Sequence, residues 1–180
     1  MQSKKAIIMK IKASFLMLSI LFVGYSLISC GQNKSERPSP PATVKGEING
    51  VSVEINYSQP AVKGREIWGE LVPYDKVWRT GANEASTITI SENVIINGKE
   101  LKAGKYGLFT IPSTDKWTVI FNEVWDQWGA YQYDESKDAL RVSVTPSKLT
   151  ENQERLVFAV TNQAVEMKWE KLLISIPISK

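Results

Sequence analysis

The chain has 180 residues, with 22 lysines and arginines, 19 aspartates and glutamates, no histidine and a formal net charge of +3. The excess is local: Lys4, Lys5, Lys10 and Lys12 precede Cys30 with no acid among them, which leaves 18 of the 22 basic residues against 19 acids, a net of −1. This balance argues against a nucleic-acid partner, the absence of histidine removes imidazole bases, Ser-His-Asp triads and His-bearing zinc sites, and a lone Cys30 removes any intramolecular disulfide.

Met1–Lys12 is basic, and Ala13–Ile28 is an uncharged, apolar run of about 16 residues. That order is the n-region and h-region of an export signal, and the run is shorter than the roughly 20 residues that span a bilayer. It closes on Leu27-Ile28-Ser29-Cys30, the pattern of a lipobox: an aliphatic residue, a small residue before the cleaved bond, and a thiol to take the lipid. Residues 1–29 are therefore expected to be a lipoprotein signal peptide, with Cys30 as the lipidation site. The expected location is the cell envelope, held to the membrane through N-terminal acyl chains, more than one of which makes a stable anchor.

Gly31–Ala42 has no large apolar residue and contains Pro38, Pro40 and Pro41. Such a composition favours an extended, semi-stiff spacer. Residues 30–43 are read as a flexible tether and residues 44–180 as the folded domain.

Within that domain the hydrophobic period is two. Val51, Val53, Ile55 and Tyr57 form one alternating row; Trp117, Val119 and Phe121 another; Leu140, Val142 and Val144 a third. Val165, Met167 and Trp169, then Leu172, Ile174, Ile176 and Ile178, complete the series. Each reads as a half-buried strand. Asn97-Gly98 is a strong hairpin signal, and Gly104, Pro112–Asp115 and Pro146 mark further strand ends. About nine or ten short strands without a long amphipathic helix predict an all-β, antiparallel β-sandwich or jelly-roll-like barrel.

Two polar, aromatic blocks go beyond this patterning. One runs from Arg65 to Ala85 and includes Val72-Pro-Tyr-Asp-Lys-Val-Trp-Arg-Thr-Gly-Ala-Asn-Glu-Ala85. The other comprises Gly104–Pro112, Trp117–Asn122 and Asp126-Gln-Trp-Gly-Ala-Tyr-Gln-Tyr133. Together they closely resemble the DUF2911 family of exported bacterial proteins, over about Val51 to the C-terminus. The resemblance implies an envelope protein of a Gram-negative, Bacteroidetes-type bacterium and brings no activity with it.

In the first block, Arg79, Asn83 and Glu84 offer a guanidinium, an amide and a carboxylate for a hydroxylated or carboxylated ligand. The same residues also suit an internal Arg–Glu pair with Asn83 satisfying loop backbone. Gly81 suggests a special backbone conformation there. In the second block, Gln127, Trp128 and Tyr131 combine hydroxyl-binding and ring-stacking groups, which points to a glycan; packing at one end of the sandwich is the competing role. Glu84, Asp126 and Asp138 are the candidate acids for a carboxylate-based hydrolase of envelope glycans or peptides. Asp134–Asp138 lacks a recognised calcium-ligand spacing, and no cofactor or metal motif is present. The leading expectation is a non-catalytic domain that binds a glycan or envelope component. A hydrolase or a structural, assembly lipoprotein are the alternatives.

Overall fold

Period-two alternation becomes a six-stranded antiparallel sheet. Its members are β1 (Pro41–Ile48), β2 (Val51–Ser58), β3 (Thr87–Ile90), then, after the small hairpin of β4 (Val94–Ile96) and β5 (Lys99–Leu101), β6 (Gly104–Ile111), β7 (Trp117–Asn122) and β8 (Asp138–Val144). Their order is β1-β2-β3-β6-β7-β8. The computed structural model describes residues 34–180. The expected signal peptide and Cys30 lie outside the described residues.

A second layer comes from the long hairpin of β9 (Ser147–Val160) and β10 (Ala164–Pro177). The β4–β5 hairpin joins the chain end through reciprocal backbone bonds between Ile95 and Ser179, at 2.8 and 3.0 Å. The architecture is thus sandwich-like, with no closed barrel among the described residues. Asn97 and Gly98 both take positive φ, 49° and 75°, as a two-residue hairpin turn that follows the sheet twist requires.

The main core lies between the layers. Val53 and Ile55 of β2, Ile88 of β3, Leu108 of β6, Val119 and Phe121 of β7 meet Phe158 of β9 and Met167, Ile174 and Ile176 of β10. Trp68, Trp78, Trp117 and Trp169 form one cluster within it. Trp68 meets the other three edge-on, with ring centroids 4.9 to 5.9 Å apart, and Trp78 stacks on Trp169 at 5.8 Å. Edge-on rings place N–H groups near π faces. The Trp68, Trp117 and Trp169 indole nitrogens are buried in this cluster without a hydrogen-bond partner among the described residues.

The two rows read in the last third of the sequence belong to one strand. The inward positions are odd-numbered through Trp169 and even-numbered from Ile174, so an irregularity must lie between them. The register of β10 against β9 shifts on both sides of Glu170, whose φ is +54°. The irregularity around Glu170 lets both halves face the same core.

Short loops cover part of the opposite face of the six-stranded sheet. Ala85, Phe109 and Ile120 form a second, smaller buried cluster there, packed by Val77, Ile111, Ala130 and Tyr133. Val77 and Ala85 come from one of the two polar, aromatic sequence blocks and Ala130 and Tyr133 from the other, so hydrophobic packing on this face brings the two blocks together.

The described part of the segment read as a tether is folded against the domain. Lys34–Glu36 makes one 3-10 turn, and β1 already begins at Pro41. A proline is tolerated at the first position of an outer strand, where no ladder N–H is needed.

Candidate functional site

The meeting point of the two blocks is a short antiparallel bridge between Glu84 and Trp128. Ala85 N–H donates to Gln127 O at 3.0 Å, and Gly129 N–H donates to Asn83 O at 3.0 Å. Asn83 takes φ +60° and Thr80 takes φ +52° to make the approach. Gly81 itself does not take a positive φ. Its need for glycine is close approach: a Cβ would lie 2.8 Å from Ser86 Oγ and 3.2 Å from Ser58 O.

Beside this bridge lies a groove of about 300 Å³. Its floor follows from strand register. Thr43 of β1 pairs with Asn56 of β2, and Asn56 pairs with Thr87 of β3, so three hydrogen-bonding side chains share one row on the outer face. Glu84, Asp126, Gln127 and Trp125 stand along the wall, with Lys34 and Lys105 also lining it. Thr43 Oγ1 donates to Asn56 Oδ1 at 2.7 Å, and Asn56 Nδ2 donates to Glu54 Oε1 at 2.8 Å. Lys105 Nζ sits 3.6 Å from the Trp125 ring centroid.

Glu84 has partners that the sequence did not suggest. Arg37 Nη1 donates to both carboxylate oxygens, at 3.0 and 2.9 Å, and Lys34 Nζ lies 3.2 Å from Oε1. The Arg37 guanidinium carbon is 5.7 Å from the Trp128 ring centroid. Asn83 Nδ2 donates to Ser39 O at 3.0 Å. Burial acts on Glu84 to raise its pKa, but hydrogen bonds from its own backbone, Arg37 and Lys34 outweigh it and hold the carboxyl below its ordinary value.

The internal Arg79–Glu84 pair is therefore corrected: Glu84 is taken by Arg37 and Lys34, and among the described residues Arg79 makes no ion pair. Burial lowers the Arg79 pKa against an opposing effect of Tyr131, and its Nε is sealed from solvent without a hydrogen-bond partner. Gln127 is buried and works within its loop. Its Nε2 donates to Val124 O at 2.9 Å and its Oε1 accepts from Gln132 N–H at 3.0 Å. Trp128 and Tyr131 are 54% and 87% exposed, so neither caps the sandwich.

The three candidate acids separate. Glu84 and Asp126 line the groove. Asp138 is tied into another network, accepting from Tyr133 Oη at 2.7 Å, from Asn122 Nδ2 at 2.7 Å and from Arg141 Nε. Arg141 Nη2 also donates to Tyr133 Oη at 2.6 Å. Burial first, then the Asp138 hydrogen bond, push the Tyr133 phenol up to about 12 against the opposing Arg141. Asp134 caps the adjacent 3-10 turn by accepting from Ser136 N–H, and Glu135 pairs with Arg141 at 3.0 Å.

Reading the sequence alone missed Lys34, Arg37, Thr43, Asn56, Thr87 and Lys105. The odd-even phase of β2 was the available signal for Asn56: if Ile55 and Tyr57 point inward, Asn56 points out. Trp125, one residue before the aromatic block that starts at Asp126, also lines the groove.

The family model described as a protein of unknown function, DUF2911, matches residues 39–178. None of the curated proteins and none of the solved structures matches the chain.

Proposed function

Since the chain belongs to the DUF2911 family, whose description names no activity, we propose from the groove that it is a non-catalytic binding domain of the cell envelope, anchored through a lipidated Cys30, that takes a hydroxylated ligand of the glycan class. The observation carrying this reading is the row Thr43, Asn56 and Thr87 on the groove floor, beside the Trp125 ring and the Glu84 and Asp126 carboxylates. Hydroxyls and amides exchange hydrogen bonds with sugar hydroxyls, and an indole offers an apolar ring face. Gln127 is positioned to support its own loop, and Asn83 to hold the N-terminal segment.

Hydrolysis is the weaker reading. A general acid needs a raised pKa, whereas Arg37 and Lys34 hold Glu84 ionised.

The test uses the chain from Cys30 onward, which retains every described residue. Oligosaccharides and soluble peptidoglycan fragments are titrated while intrinsic tryptophan emission is followed. Saturable binding that is lost in Asn56→Ala and in Trp125→Ala is the expected result. A flat response to the whole panel, or binding indifferent to both substitutions, would sink the proposal. Lipidation is checked separately by the mass of the protein extracted from its native membrane and its loss in Cys30→Ser.

A further inference from the structure

Three exposed aromatic side chains stand on one loop: Trp125, Trp128 and Tyr131, at 37%, 54% and 87%. The loop is not loose. Gln127 bonds across it from Val124 to Gln132, and the Glu84–Trp128 bridge fixes it to the neighbouring block. A rigid loop that holds Trp and Tyr rings out to solvent fits an amphipathic boundary, where one end of each ring is apolar and the other wet.

The second observation is where the described chain begins. Lys34 and Arg37 are both bonded to Glu84, the backbone partner of Trp128, and Arg37 lies against the Trp128 ring. The preceding segment therefore joins the domain beside the aromatic loop. It contains the apolar run Ala13–Ile28 and then Cys30. From Cys30 to Lys34 an extended backbone reaches no further than about 14 Å.

We propose that the loop from Trp125 to Tyr131 is a membrane-contact surface, with Trp128 and Tyr131 entering the headgroup region of the bilayer to which the N-terminus is attached. The short reach from the anchor leaves this loop at the bilayer surface. Its chemistry is that of the aromatic belts found at such surfaces. Lys34 and Arg37 are both paired with Glu84, and Lys105 lies over the Trp125 ring, so the contact is carried by the aromatic rings and does not need anionic lipid. Trp125 is shared with the groove, so the groove's mouth opens at that surface. The inference rests on the anchor in the proposed function and is independent of what the groove binds.

Cys30 is the sole thiol, which permits a test that does not depend on lipidation in the cell. The chain from Cys30 onward is coupled through that thiol to a maleimide-headgroup lipid in phosphatidylcholine vesicles. Tryptophan emission is then measured with lipids brominated near the headgroup end of their acyl chains. The expected result is strong quenching, most of it removed by Trp128→Ser. Tyr131→Asp keeps Trp128 but places a charge in the contact, and lowers quenching at least about twofold. Both side chains are exposed, so unchanged circular dichroism and Tm identify the variants as folded. Absence of quenching in the attached wild type, full quenching in Tyr131→Asp, or quenching that requires phosphatidylglycerol would each overturn the proposal. Failure of natural lipidation would leave this result standing and count only against the anchor.

Discussion

Arg37 and Glu84 stand 47 residues apart in sequence and share two hydrogen bonds. The pair fastens the segment before β1 to the bridge between the two sequence blocks. Asn83 adds a bond to Ser39 O, and Arg155 donates to Pro38 O at 3.3 Å. Two separate parts of the domain, the Asn83–Glu84 segment and Arg155 of β9, therefore hold Lys34–Ser39 in place.

Arg37→Ala should free that segment at little cost to the whole fold. Glu84 is 41% exposed at its side chain, so global stability falls by less than about 1 kcal/mol. Tryptic cleavage after Lys34 should become faster, and mass spectrometry of the released peptide reads it. Cleavage at the wild-type rate would show that the pair does not hold the segment.

The same pair sets a pH dependence. The folded-state pKa of Glu84 lies below its ordinary value of 4.5, so its contribution is present above that value and is lost as pH falls through the lowered one. The difference in Tm between wild type and Arg37→Ala should shrink as the solution is acidified below 4.5. Glu84→Gln should show no such change over the same range.

Tyr133 gives the opposite sign. Its folded pKa is raised from 10 to about 12. Its contribution is complete below 10 and is lost as pH rises through about 12. Alkaline titration of phenolate absorbance should show a late component that shifts downward in Asp138→Asn, where the carboxylate charge is removed. No downward shift would mean that Asp138 does not hold the phenol protonated.

Gly107→Ala should disturb the groove from beneath. A Cβ there would lie 2.6 Å from Phe109 Cε2, 3.1 Å from Val124 O and 3.3 Å from Trp125 Cα. The ring can turn, but the backbone that carries Trp125 must move. The expected cost is about 1–3 kcal/mol, read from the denaturant midpoint, with a change in Trp125 emission. A neutral Gly107→Ala variant would show that the loop can shift freely.

The strands were legible where burial alternates cleanly. Val53, Ile55 and Tyr57 project inward as their spacing predicts, and Asn97-Gly98 turns as its chemistry predicts. β1 was missed because Pro41–Ile48 has only Ile48 fully buried, which leaves no hydrophobic row to read. Its inward positions include Gly46, where Val160 occupies the place of a side chain. The separate rows ending at Trp169 and starting at Leu172 were both visible, but joining them needed the bulge at Glu170. The Arg37–Glu84 pair was hidden for another reason. Local composition in residues 31–42 points to a spacer, and only the tertiary fold brings a carboxylate from another block within reach.

The way β1 is seated also bears on solubility at high concentration. An outer strand is a template on which a second chain can add by backbone pairing. Here Pro41 opens the strand without an N–H, Lys45 and Glu54 hold a charged pair at 2.7 Å on its outer face, and Val160 of β9 packs over Gly46. An incoming strand would lose a hydrogen bond at one end and meet charge in the middle. The same edge completes the groove floor with Thr43.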